Sequence, residues 1–229
     1  MAKTPRSESV VPRAPRARSV RPSRTPAAGG KSAPRRRLRA EEAQRRILEA
    51  AEKQLMKVGP EGLRLTDLAQ ALGVSHPAIL HHFGSREGLV AAVVRHALQT
   101  LNEQLLNALA SGSRAPAREE LMEMVAEVYG ERGFARLLAW LLLSGRAPKP
   151  ARQDQPLKQL AEAAHALHIA KEPDAHYEDT LFELQLIAIA LMGDAIFGDS
   201  VRRASGVSAS PSGARDFRRR LAALLATRD

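Results

Sequence analysis

Between residues 41 and 95 of this 229-residue chain lie three short amphipathic segments, joined by two turns whose chemistry leaves little freedom in how they fold. Ile47, Leu48, Ala51, Leu55 and Val58 recur at three- and four-residue steps, which predicts a helix from about Glu41 to Val58 with one apolar stripe. Gly59-Pro60-Glu61-Gly62 ends it. A second helix follows from Leu65 to Leu72, with Leu65, Leu68, Ala69 and Leu72 inward, and Gly73 is placed to take the left-handed conformation that closes it. Ser75 suits an N-cap, and Pro77 suits the first helical turn, where its missing N–H costs nothing. A third helix, His76 to Phe83, then turns Ile79 and Phe83 toward the core and leaves His76, Pro77, Ala78, His81 and His82 outside.

That outer face is polar, compact and free of carboxylates. A helix of this kind, held at a steep angle by a tight turn, is what enters a DNA major groove. Ser85 can cap the next helix, Glu87 favours its positive end, and Arg86 is placed to meet a phosphate. Three amphipathic helices also make ordinary small bundles, but order, spacing and turn chemistry together argue against that reading.

The segment from 41 to 95 resembles the DNA-binding domain of the tetracycline-repressor (TetR) family of bacterial regulators. The residues that carry the resemblance are RILEAA in the first helix, LTDLAQALGVS, and the run from Ser75 through HHF to Ser85-Arg86-Glu87-Gly88-Leu89. It implies that His76, Pro77, Ala78 and His81 face base edges, and that His82 and Arg86 meet phosphates. Two positions depart from the family. Leu80 stands where a Tyr hydroxyl usually touches the DNA backbone, so that contact is lost or replaced. Arg64 stands where Ser or Thr is common; it could hold a phosphate by charge, with the Thr66 hydroxyl near the same phosphate.

Charge is unevenly spread. Residues 1–40 hold 12 Lys and Arg against the single Glu8, a balance of +11, while the remaining 189 residues hold 23 against 24, a balance of −1. The high isoelectric point therefore belongs to a tail. Rich in Arg, Pro, Ser and Ala, residues 1–40 are expected to be a disordered basic tail. Two readings of it stand: a cationic arm that tracks phosphates or a minor groove, or a solubilising extension. Its six prolines oppose the amphipathic helix of a transit peptide. Cysteine is absent, which removes disulfides and thiolate metal sites. The longest apolar run, Leu137 to Leu143, is far shorter than the roughly 20 residues of a membrane span.

The whole pattern predicts an all-α protein, with a three-helix helix-turn-helix domain at 41–90 and a larger helical effector-binding and dimerisation domain at 91–229. A fourth helix continues through Leu98, Leu101, Leu105 and Leu109, and a fifth from Pro116 carries Leu121, Met124, Val125 and Val128. Gly130 to Gly133 interrupts it. Phe134 to Leu142 reads as apolar nearly all round, hence as a helix buried on most sides. Pro148, Pro150 and Pro156 mark a linker before a weaker helix, Leu157 to Leu167.

Two final helices, Leu181 to Phe197 and one carrying Phe217, Leu221, Leu224 and Leu225, offer more apolar surface than one chain needs. The resemblance implies that these helices pair with a second copy in a four-helix interface. Leu184, Ala188, Leu191 and Ala195 are the further candidates there. A homodimer also sets two reading helices about 34 Å apart on successive major-groove faces. The alternative is packing within the chain.

The resemblance further implies an effector pocket between helices four and seven. Met122, Met124, Tyr129, Trp140, Phe182 and Met192 are candidates by residue type, each also suited to an ordinary core position. Aromatics make up only 3% of the chain, so an aliphatic pocket for an apolar small molecule is favoured over a stacking cage. His165 and His168 share a helix face, with His176 nearby, but Pro173 breaks the segment, and surface or pocket-edge imidazoles explain them better than a metal. No cofactor is expected. Without a Gly-rich phosphate loop, a nucleophile elbow or a Cys-His pair, an enzyme finds no support.

The expected function is a sequence-specific, dimeric transcriptional regulator of the bacterial cytoplasm, a repressor released by a small molecule. Its partners are double-stranded DNA, a second copy and that effector, with no membrane. The main alternative is a non-regulated architectural DNA binder driven by the basic tail; a ligand-storage protein is a third.

Overall fold

The structure is a computed structural model that describes residues 33–111, 116–146, 155–170, 172–207 and 211–226. Contacts group the chain into two units, Met1–Leu38 and Arg39–Asp229, and the core lies in the second. The expectation of a disordered basic tail falls largely outside the described residues, and the backbone is already helical from Ala33. Every element is a helix, and no strand occurs among the described residues.

Helix α1 spans Ala33–Gly62 and is broken at Gly59 (φ 68°, ψ 178°), a conformation that glycine adopts without strain. Pro60 opens the single turn beyond the break, where no N–H is needed. Helix α2 (Leu65–Leu72) ends at Gly73 and α3 (His76–Phe83) begins at Ser75, where capping chemistry puts them. Gly73 sits in the left-handed region at φ 66°, and the Val74 N–H reaches the Ala69 carbonyl at 3.0 Å, so the α2 carbonyls are satisfied as the chain turns. Helix α4 (Arg86–Ala110) is long enough to pass from the first three helices into the rest of the protein, so a boundary at 90–91 falls inside it.

Helix α5 (Arg118–Ala126) runs into a π turn, Glu127–Glu131, and Gly133 (φ 68°) then redirects the chain into α6 (Phe134–Leu143). The Gly130 to Gly133 interruption is thus a widened helical turn followed by a bend. On α6, Phe134, Ala135, Leu137 and Leu141 are buried, whereas Leu142 and Leu143 are exposed. The expectation of burial on most sides is corrected: one face is covered, and the helix end projects. The expected linker at 147–154 lies outside the described residues, and Pro156 opens α7 (Pro156–Ile169).

Helix α8 (Tyr177–Gly193) continues through a second π turn, Asp194–Gly198, into α9 (Asp199–Ala204), and α10 (Pro211–Ala226) closes the described chain. Asp194 and Arg202 pair across the second π turn, and Asp199 holds the same guanidinium at 2.7 Å. A Cβ at Gly198 would stand 2.1 Å from the Asp194 carboxylate, so only glycine leaves that pair room.

One apolar core runs through the molecule. Ile47, Leu55 and Ile79 from the first three helices join Val90 and Val94 of α4, and the same cluster continues to Phe134, Leu137 and Leu141. A second, smaller cluster ties α10 to α5 and α8 through Met122, Leu191, Leu221, Ala222 and Leu225.

Candidate functional site

The α3 surface is held by its two flanking serines. Ser75 Oγ accepts the Ala78 N–H at 3.2 Å, and Ser85 Oγ accepts the Gly88 N–H at 2.9 Å. Each satisfies a donor left orphaned at a helix start. Between them Ile79 is fully buried and anchors α3 to the core. Gly88 lets the chain close: a Cβ there would lie 2.0 Å from the Phe83 carbonyl oxygen. On the outside, His76, Pro77, His81 and His82 are exposed and Ala78 is half-buried. The His81 and His82 rings meet edge to face at 5.7 Å. Leu80 is half-buried, and its side chain carries no hydroxyl to offer a phosphate.

Among the residues assigned to phosphates, Arg64 is exposed at the start of α2, where it makes no side-chain cap. The Thr66 hydroxyl donates to the Asp67 carboxylate at 3.2 Å. Arg86 is half-buried and engaged: its guanidinium donates to Glu87 at 3.1 and 3.2 Å and to the Glu61 carbonyl at 3.3 Å. A phosphate would have to share it. Glu87 accepts its own backbone N–H at the α4 N-terminus, and this bond, helped by Arg86, holds its carboxyl below the usual carboxylate range against the opposing effect of burial.

Glu61 is a junction that residue patterns alone do not reveal. Its carboxylate accepts the Trp140 indole N–H at 2.9 Å, while Arg86 lies 3.7 Å from its other oxygen. A second tie joins α1 to the segment after the first π turn, where Arg132 pairs with Glu52 at 2.7 Å and lies over the Phe134 ring at 5.0 Å. The helices that present α3 are therefore fastened to α6 and to the π turn by polar contacts as well as by the shared core.

Behind these ties is a cavity of about 580 Å³ among α4, α5, α7 and α8, with walls of Leu101, Leu105, Leu121, Val125, Leu160 and Ile187. Met122 and Tyr129 line it, as the sequence suggests. Met124, Trp140, Phe182 and Met192 lie outside its lining. The reasons are local: Met124 packs against the main core, Trp140 is turned to Glu61, and Phe182 is exposed on the far side of α8. Met192 is half-buried beyond the last lining residue, Ala188. His165 contacts the Thr180 hydroxyl at 3.3 Å, and His168, at the cavity wall, pairs with Glu172 at 3.5 Å. No group of three metal-ligating side chains gathers among the described residues.

The candidates for contact with a second copy divide. Leu184 and Ala188 line the cavity. Leu191, Leu221 and Leu225 are buried in the second cluster with Phe217 packed on it, and Ala195 faces Gly130, where a Cβ would meet it at 4.0 Å. Leu224 alone among the eight is widely exposed, at 63%. The uncovered apolar surface belongs instead to another face of the α8–α9 rod: Phe182 (54%), Ile189 (71%), Ile196, Phe197 (55%) and Val201. Apart from Leu224, the residues expected at an interface and this exposed stripe lie on different faces of these helices; small and branched residues suit a cavity wall and an interface equally well. By length and composition the 28-residue rod Tyr177–Ala204, which contains an 18-residue stretch of mean hydropathy 1.7, is also long and apolar enough to cross a membrane, which the shorter runs read from the sequence are not.

Comparison with known proteins gives this geometry a lineage. Residues 47–93 match the model of bacterial regulatory proteins, tetR family. The chain is 30% identical over 170 residues to the HTH-type transcriptional repressor Rv3405c of Mycobacterium tuberculosis, an alignment covering 73% of this chain and 79% of that protein. It is 29% identical over 125 residues to the HTH-type transcriptional regulator BetI of Brucella anthropi, covering 53% of this chain and 63% of BetI. A solved structure of a TetR variant from Acinetobacter baumannii AYE in complex with minocycline shares the fold, with a TM-score of 0.55, 20% identity, and coverage of 79% of this chain and 93% of that one. This chain belongs to the tetR family of bacterial regulatory proteins. It is a DNA-binding transcriptional regulator built on a helix-turn-helix.

Proposed function

We propose that this protein is a homodimeric, sequence-selective repressor of the bacterial cytoplasm whose hold on DNA is released when a small molecule enters the cavity. The observation that carries the reading is the outer face of α3: exposed, free of carboxylates, anchored by a fully buried Ile79 and capped by Ser75. In this reading His76, Pro77, Ala78 and His81 meet base edges, while Arg64, Thr66, His82 and Arg86 meet phosphates, Arg86 sharing its carboxylate partners. The name of the 30% identical relative favours repression.

Dimerisation gains support from the uncovered stripe of the α8–α9 rod and from the exposed Leu224 of α10. A second copy laid against it would bury apolar side chains that this chain leaves in water, each worth about 1.5–3 kcal/mol when fully covered. The Asp194–Arg202 pair and the acidic first turn of α8 suit an aqueous dimer better than lipid.

Selection of bound fragments from genomic DNA tests the reading. A shared sequence is expected, lost in His81→Ala and Ala78→Asp variants that keep their helical content. Removal of residues 1–32 is expected to weaken binding to random DNA and flatten its salt dependence while sparing the preference. If the preference disappears with those residues, the architectural reading replaces this one. Ile189→Asp, at an exposed position, is expected to convert a dimer to a monomer in sedimentation. A wild-type monomer that floats with lipid vesicles would assign the rod to a membrane instead.

A further inference from the structure

Among the described residues seven polar ones reach the cavity, and their pairing constrains what can enter it. Arg118 is matched to Glu183 at 2.7 Å and His168 to Glu172 at 3.5 Å. Asn102 bonds Gln159 at 3.4 Å, and the buried Thr180 bonds His165. Arg118 and Glu183 thus neutralise each other within the wall, and Glu172, beside His168, has half its side chain in water, so an ionic headgroup buried among the aliphatic walls would find no unmatched charge there. Burying such a group uncompensated is costly, so ionic ligands are selected against.

Tyr129 differs from the rest. Its hydroxyl finds no hydrogen-bond partner among the described residues, and burial raises its pKa, so it stays a neutral donor near pH 7. Among the described residues it is also the only Phe, Tyr or Trp of the lining, so a flat polycycle has no pair of such rings to stack between. Eleven positions separate Arg118 from Tyr129, about 16 Å at the helical rise, so this donor and the Arg118–Glu183 pair stand well apart along an aliphatic trough.

We infer that the cavity takes an uncharged, largely aliphatic molecule whose single polar group, a hydroxyl, ester or ketone oxygen, accepts a hydrogen bond from Tyr129. This rests on the regulator reading and names the class of molecule that would act on it. Its consequence follows from position: Tyr129 lies on the π turn that leads three residues later to Arg132, the partner of Glu52 on α1. An occupant that pulls on Tyr129 therefore acts on the segment that grips the DNA-reading helices.

The test uses the full chain and four probes: dodecanol, dodecanoate and dodecylammonium, which share one tail below their micelle concentrations, and minocycline as a flat polycycle. Binding is read without DNA, by calorimetry and by the rise in Tm. Dodecanol is expected to bind at least tenfold more tightly than either ion, with minocycline weakest. Tyr129→Phe should weaken dodecanol about fivefold, the worth of one neutral hydrogen bond. Ala164→Trp, which plugs the trough from α7, should abolish binding while circular dichroism stays helical. Tighter binding of either ion or of minocycline overturns the inference, and so does an unchanged affinity in Tyr129→Phe. If no probe binds and the chain still selects a DNA sequence, this inference fails and the DNA-reading proposal survives; if dodecanol binds as expected and no sequence is selected, the reverse holds.

Discussion

The first three helices and the last three solve the same problem, how to bury an amphipathic face, in opposite ways. In the reading head Ile47, Leu55, Leu68 and Ile79 of the periodic stripes turn inward, with Val58 at the end of the first stripe left exposed, and serine caps complete the starts of α3 and α4. In the C-terminal helices the second cluster covers one side of α10 and α8, while Ile189, Phe197 and Leu224 are left in water. The contrast teaches that the head is finished within one chain, whereas the C-terminal helices hold surface in reserve. Their apolar content serves three masters: a cavity wall, an internal cluster and a free face.

The sharpest way to break this contrast is to damage the head's own core. Ile79→Ala removes a fully buried side chain and is expected to cost about 2–5 kcal/mol. Because the head shares its core with α4 and α6, urea unfolding should show one shifted transition, whereas two separate transitions would mean that the head stands alone.

Two glycines give the next comparison. A Cβ at Gly88 meets the backbone carbonyl of Phe83 at 2.0 Å, and a Cβ at Gly198 meets the carboxylate of Asp194 at 2.1 Å. Backbone cannot step aside, but a side chain can. Gly88→Ala should cost about 2–3 kcal/mol and Gly198→Ala about 1 kcal/mol, as thermal unfolding would measure. Equal losses would mean that the Asp194–Arg202 pair is as rigid as the turn after α3.

Trp140→Phe keeps the ring packing and deletes the N–H given to Glu61, so a stability loss of about 1 kcal/mol is expected. DNA affinity or its response to dodecanol should change as well if this junction carries the signal. The smallest effect concerns pH. Glu87 has a depressed pKa in the folded state, so its contribution is complete above the unfolded value near 4.3 and disappears as pH falls through the folded one. Glu87→Gln should cost about 0.3–1 kcal/mol at pH 7 and little in acid well below pH 4, a difference that paired thermal melts at the two pH values would resolve.

What could be read from residues alone follows the same division. The bounds of α2 and α3 agree with their sequence signals because Gly73, Ser75, Pro77 and Ser85 act on their immediate neighbours. Local chemistry decides local geometry there. Which face of α8 meets the cavity depends instead on where α4, α5 and α7 lie, and a stripe of Leu and Ala does not encode that. Trp140 and Phe182 suit a pocket by type, yet Glu61 draws one away and the outward face of α8 takes the other. Neither π turn has a simple periodic signature, although Gly130 and Gly198 lie within them. Glu61, inside a segment that reads as a mere helix stop, was invisible as a partner of Trp140 because the two are 79 residues apart.

Trp140 is the only tryptophan in the chain, and its ring nitrogen is tied to a carboxylate at the seam between the DNA-reading helices and the rest of the molecule. The protein thus carries a native optical gauge at that seam. Loosening of the Glu61 tie would change the environment of the one indole, so ultraviolet emission of the unlabelled chain can follow motion there in real time.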